Sequence, residues 1–174
     1  ARIFPANDVV DTVQTMMTFD APLETVWAAM MFYEEIPQKP SPLLRAILPV
    51  PVRTRGEKTK PGSIIECTYD GGSLEKRITD VDVARSVHFE VTIQALGIED
   101  AIMMTGGSYE LRGTGDQTEL VLTTNYRGRM RPRFLFRPLE RFVAHRVHRH
   151  ILIGMRTAIE AARAPAGEPA LAKV

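Results

Sequence analysis

Two periods of hydrophobicity divide this chain. From Pro138 to Arg163, apolar residues recur at steps of three and four, through Leu139, Phe142, Val143, Val147, Ile151, Met155 and Ile159. That spacing lays one apolar stripe along a helix. Pro138 suits the first helical position, where its missing N–H would have no partner. Pro165 supplies a stop. At 1.5 Å per residue such a helix is roughly 39 Å long, and it needs a broad apolar surface to lie on.

The preceding stretch reads as that surface. Residues 64–69, 74–83, 87–95, 101–112 and 118–127 are strand-like runs. Short turns separate them, containing Asp70-Gly71-Gly72, Ala84-Arg85, Leu96-Gly97 and Gly113-Thr114-Gly115-Asp116. Short turns make neighbouring strands antiparallel. With Gly71-Gly72 as a two-residue turn, Tyr69 faces Leu74, Cys67 faces Lys76 and Glu66 faces Arg77. With Ala84-Arg85 as the next, Ile78 faces Val91 and Asp80 faces Phe89. With residues 113–116 as the third connection, Tyr109 faces Leu120 and Glu110 faces Glu119. These pairings gather Ile65, Cys67, Tyr69, Leu74, Ile78, Phe89, Val91, Tyr109, Leu120 and Leu122 on one face. A one-residue slip would scatter that set. The same face carries Lys76, Asp80, Thr124 and Tyr126.

Ahead of this meander, residues 9–19 alternate as a first strand. Asp20, Ala21, Pro22 and Glu24 mark a helix start, followed by Leu23, Val26, Trp27 and Met30 at helical spacing. A second short helix is expected over 32–36. Prolines 49 and 51 reduce the strand expected over 43–53 to an edge or bulged one. A loose lead-in over 1–8 and a flexible tail over 164–174 flank a single domain, 9–163. The expected core is Trp27, Phe89, Val91, Leu120, Leu122, Val143, Val147 and Ile151.

The order of elements gives the α+β class, and it resembles the helix-grip superfamily: START domains, birch-pollen allergens and bacterial polyketide cyclase/dehydrase-like proteins (SRPBCC). The resemblance is carried by Phe19-Asp20-Ala21-Pro22-Leu23-Glu24-Thr25-Val26-Trp27, Pro61-Gly62-Ser63, Ile78-Thr79-Asp80-Val81-Asp82, Thr118-Glu119-Leu120 and the terminal helix. It spans residues 9–162. It implies a six- or seven-stranded antiparallel sheet wrapped around the C-terminal helix, with two short helices after the first strand. It also implies a hydrophobic small molecule or lipid held between sheet and helix. The alternative is an enzyme of the polyketide cyclase/aromatase type; the sequence favours binding, since no pair of pocket acid and base stands out.

Candidate ligand-binding residues are Tyr69, Tyr109 and Tyr126 from the sheet, with Arg146 and His150 from the helix. The last two are four residues apart and share a helix face. A buried arginine needs a partner. Either Arg146 and His150 hold an acidic or carbonyl end of a ligand, or Arg146 pairs with a carboxylate such as Asp80. Lys76 is expected near the cavity mouth with its ammonium in solvent.

Composition narrows the chemistry. The chain has 174 residues, 44% of them hydrophobic and 25% charged, with a formal net charge of +1. That balance exerts no general pull toward nucleic acid. The charge is uneven, however, with eight arginines between Arg127 and Arg149 against Glu140 alone. The ordinary reading is a solvated basic face. With Phe134, Leu135 and Phe136 inserted, the alternative is contact with an anionic membrane surface. The single cysteine, Cys67, excludes an internal disulfide and a cysteine cluster. It reads as a buried inert thiol. His145, His148 and His150 read as solvated helix-face histidines, because no cysteine or carboxylate accompanies them at ligand spacing. No metal, cofactor or membrane span is expected. A cytoplasmic location and a monomer or homodimer complete the expectation.

Overall fold

Strand β1 (Asp11–Phe19) alternates inward and outward residues, and its inward set is Asp11, Val13, Thr15, Met17 and Phe19. In this computed structural model, which describes residues 9–32, 42, 49 and 51–163, α1 (Leu23–Phe32) follows. Then come β2 (Pro51–Arg55), β3 (Ile64–Tyr69), β4 (Gly72–Asp82), β5 (Ser86–Ala95), β6 (Ile102–Thr114), β7 (Gln117–Gly128) and the long helix α2 (Arg133–Arg163). The strands form one sheet in the order β1-β7-β6-β5-β4-β3-β2, antiparallel at every step. The sheet curls around α2, and the architecture is the helix-grip α+β fold. The second short helix and most of the strand expected over 43–53 fall outside the described residues, as do the lead-in and the tail. No described helix is long and apolar enough to cross a membrane.

The start of α1 is tied to the sheet. The Pro22 carbonyl accepts from the Thr25 and Val26 amides, and the Thr118 hydroxyl donates to the Ala21 carbonyl at 2.8 Å. From there α1 buries Val26, Met30 and Met31 in the core.

All the expected core residues are at least half-buried, but Trp27, Val91, Val147 and Ile151 are not fully so. The three hairpin registers differ from expectation by two residues. Tyr69 pairs with Gly72 and Cys67 with Leu74, because the turn is Asp70-Gly71, with Gly71 at φ +97°. Tyr109 pairs with Leu122 and Leu111 with Leu120 around a Gly115-Asp116 turn, so Glu119 faces Arg112 rather than Glu110. Ile78 pairs with Phe89, not Val91. A shift of two preserves the side-chain alternation, so the inner face survives the error. One position does not survive it. A bulge between Ile78 and Asp80 switches the faces, so Val81 points in and Asp80 is exposed opposite His88.

Helix α2 begins at Arg133 rather than Pro138. The Pro132 carbonyl accepts from the Leu135 and Phe136 amides and opens the first turn. Pro138 then sits inside the helix and leaves the Phe134 carbonyl without its donor. The extra turn places Arg133 against two buried carboxylates, which offsets that loss. The buried line along α2 runs through Glu140, Val143, His148, Leu152, Met155 and Ile159. It includes two polar residues that the apolar pattern passed over. It leaves Leu139 and Phe142 about half exposed, at 51% and 52%.

Candidate functional site

Between the inner sheet face and α2 lies a cavity. Leu74, Val91 and Leu122 wall it on one side, and Val143, Val147 and Ile151 on the other. The space open inside is about 100 Å³, where one water needs roughly 10–15 Å³ on the same measure. A second lobe of about 70 Å³ reaches Met30 and Met31 of α1. Both lobes share Tyr69, Lys76, Phe89, Tyr109 and Ile151 as walls.

Lys76 stands on this shared wall. It lies between Leu74 and Ile78 on the inward side of β4, so its side chain must run through the cavity. Its Nζ is 4.3 Å from the centroid of the Phe89 ring. No carboxylate pairs with it among the described residues. The expectation of an ammonium in open solvent is therefore corrected. Burial works against the charge on Lys76, but Cys67, Tyr109 and Tyr69 around it more than offset this, and its pKa is raised. Burial pushes the Tyr69 hydroxyl up to about 12 and the Tyr109 hydroxyl upward as well. At neutral pH the group is therefore one ammonium beside two protonated phenols. Cys67 is buried, as expected.

A second polar feature crosses the wall. The Thr15 hydroxyl lies 2.8 Å from His145 Nδ1 and 3.0 Å from His148 Nδ1. His148 Nε2 lies 2.8 Å from the Thr124 hydroxyl, and both His148 and Thr124 line the cavity. A neutral imidazole offers one donor and one acceptor, and two hydroxyls can satisfy both. Burial, then the proximity of His145 and Lys76, depresses His148 to about 4. It is thus a neutral, buried residue, not the solvated one that the sequence led us to expect.

The third feature is an ion cluster beside the cavity-lining Tyr126. Arg133 donates to Glu140 Oε1 and Asp11 Oδ2, both at 2.6 Å, and Arg137 Nε lies 2.7 Å from Asp11 Oδ1. Both carboxylates are buried. Gly128 makes room for the Arg133 guanidinium, since any side chain there would collide with it. The buried Tyr126 hydroxyl has no partner among the described residues. Burial, with Glu140 and Asp11 nearby, pushes it up to about 12.

Of the residues expected to bind ligand, Tyr69, Tyr109 and Tyr126 line the cavity. Arg146 and His150 do not. Arg146 is exposed, with its guanidinium 5.9 Å from the centroid of the Phe142 ring. His150 is half-buried beside the wall, burial lowers its pKa, and its Nε2 has no partner among the described residues. Each residue turns a helix by about 100°. With Val147 and Ile151 facing the cavity, positions 146 and 150 turn away from it. Asp80 points outward and pairs with neither. The residues missed are Thr15, His148, Asp11 and Glu140. The alternation of β1 carried a signal for Thr15 and Asp11. For the two helix residues only the step from Val143 through Ile151 to Met155 and Ile159 could have given the phase. Among the described residues no group of His, Cys, Asp and Glu is placed to hold a metal.

Neither a family model nor a curated protein sequence matches this chain. Solved structures do. The chain is similar to the Zhui aromatase/cyclase from Streptomyces sp. R1128, with TM-score 0.65 and 18% identity over 92% of this chain and 100% of the other. It is similar to a START superfamily protein from Mycobacterium smegmatis, with TM-score 0.64 and 12% identity over 87% of this chain and 98% of the other. It is also similar to norcoclaurine synthase from Thalictrum flavum, solved with dopamine and hydroxybenzaldehyde, with TM-score 0.57 and 14% identity over 92% and 90% of the two chains. At such identities the likeness shows a shared fold.

Proposed function

Taking the helix-grip fold as premise, we propose that this chain binds a small hydrophobic molecule between sheet and helix and holds a carbonyl or acidic group of it at Lys76. The observation that carries this is an ammonium with no carboxylate partner among the described residues, set in a wall of apolar side chains and tyrosines. Burial is the largest single effect opposing that charge, and a ligand oxygen would offset it. Tyr69 and Tyr109 keep their protons at neutral pH and can donate to the same oxygen. Lys76 thus takes the anchoring role that the sequence suggested for Arg146. The norcoclaurine synthase neighbour, solved with two small aromatic compounds, is in keeping with this reading.

Calorimetry with 1-naphthoate and 1-naphthol tests it. Lys76→Met should weaken naphthoate about tenfold, a change of ~1.4 kcal/mol, and leave naphthol nearly unaffected. Equal losses for both would mean that Lys76 only packs.

A cyclase-type enzyme is the second reading, favoured by the His145–Thr15–His148–Thr124 chain. Thr124 could pass a proton from a carbon next to a ketone to His148, while Lys76 stabilises the enolate oxygen. The carbanion would then attack a second ketone of the same molecule, forming a C–C bond, and the returning proton would leave an alcohol. Turnover of a poly-ketone analogue, lost in His148→Gln with naphthoate binding kept, would establish this reading. Naphthoate binding without any turnover would leave the binding reading standing alone.

A further inference from the structure

The N-terminal half of α2 presents a surface that the fold does not use. Phe134 is 82% exposed, Leu135 59%, Leu139 51% and Phe142 52%. Leu135, Leu139 and Phe142 follow one outward line at steps of four and three, with Phe134 beside them at the tip. Arg131, Arg137, Arg141, Arg146 and Arg149 surround this line and are all exposed. A shallow groove runs between Arg137 and Arg141, floored by Pro138 and Phe142 and closed by His145. Between residues 127 and 149 there are eight arginines, and the carboxylates within this cluster are Glu140 and Asp11, both buried. The cluster is therefore strongly cationic where it meets water.

We propose that this face docks onto an anionic lipid surface, with Phe134 and Leu135 entering between headgroups and the arginines pairing with lipid phosphates. Charge and apolarity choose the occupant together. A second copy of the chain would bring arginine against arginine. RNA would pair with the guanidiniums but would leave Phe134 and Leu135, one helix turn of bare apolar surface, without a function. An interfacial helix combines these two features. The opposite side of the same helix segment carries Val143, Val147 and His148 of the cavity wall, so docking would set that wall beside the source of a hydrophobic ligand.

Cosedimentation of the full chain with vesicles tests the proposal. Binding is expected to phosphatidylcholine vesicles containing phosphatidylglycerol and not to phosphatidylcholine alone, and it should weaken as salt is added. Phe134→Ser with Leu135→Ser should reduce it about tenfold, as should Arg131→Gln with Arg149→Gln. Melting temperature and naphthoate binding should stay at wild-type level in the serine variant, since neither residue lines the cavity. A failed naphthoate experiment would thus leave this surface untouched. The proposal is overturned if the wild type ignores the anionic vesicles, or if the serine variant binds them equally well. It is overturned too if an RNA oligonucleotide or inorganic phosphate displaces the protein at concentrations matching the lipid phosphate.

Discussion

One helix is gripped in two different ways. The C-terminal half of α2 is held mainly by apolar burial, with Leu152 at 0%, Met155 at 1% and Ile159 at 5% exposure, and the hydrogen bonds from Arg156 to the Thr18 carbonyl and from Arg163 to the Asp20 carbonyl are exposed. The N-terminal half is held by ions and hydrogen bonds. Arg133 joins Asp11 to Glu140, and Thr15 links His145 to His148. Apolar burial is non-directional and tolerates small rotations of a helix. Directional bonds do not. The polar grip therefore sets the rotation of α2 and so decides which residues face the cavity. It also lets the apolar residues of that half serve elsewhere, Val143 and Val147 on the cavity wall and Phe134 and Leu135 on the outside.

The ionic half of the grip is most vulnerable at Arg133. Arg133→Met leaves Asp11 and Glu140 buried without their shared cation, and breaking such a cluster costs about 4 kcal/mol. Urea unfolding measures it. Leu152→Ala, in the apolar half, should cost about 3 kcal/mol by transfer and cavity terms. A Leu152→Ala loss well above that of Arg133→Met would make the polar cluster a minor clamp.

Lowering the pH acts on the polar half through His148. His148 falls from its ordinary 6.5 to about 4 in the folded chain, so the unfolded chain binds the extra proton between those values. The stability it contributes is complete above pH 6.5 and is lost as pH falls toward 4. About 2 kcal/mol should be gone by pH 5. His150 is lowered in the same direction and adds to the slope. His148→Gln should flatten the unfolding free energy across this window, and an unchanged slope would show that His148 is not the group responsible.

How far the sequence reached depended on the range of the interaction. The strands from Ile64 to Gly128 and the inner face built on Cys67, Leu74, Phe89 and Leu122 were legible, because alternation is written in neighbouring residues. So was α1, from its start signal and spacing. The hairpin partners were not, since a shift of two leaves the alternation intact and only Gly71 and the Gly115-Asp116 turn select among the registers. Three tyrosines of the cavity followed from the face. Lys76 lay on that face too, yet its lack of a carboxylate partner among the described residues was not legible. That it meets no carboxylate among the described residues depends on where each of those is placed, and alternation alone puts Asp80 inward, whereas the bulge beside Thr79 turns it out. The cavity-facing placement expected for Arg146 and His150 fails for a related reason. A helical stripe gives the spacing of buried residues but not the rotation of the helix, and on α2 that rotation comes from Asp11 and Thr15, more than a hundred residues earlier. Periodicity is local and was determined by the chain alone. Which charges meet, and which stay alone, was decided only where β1 and α2 close on each other.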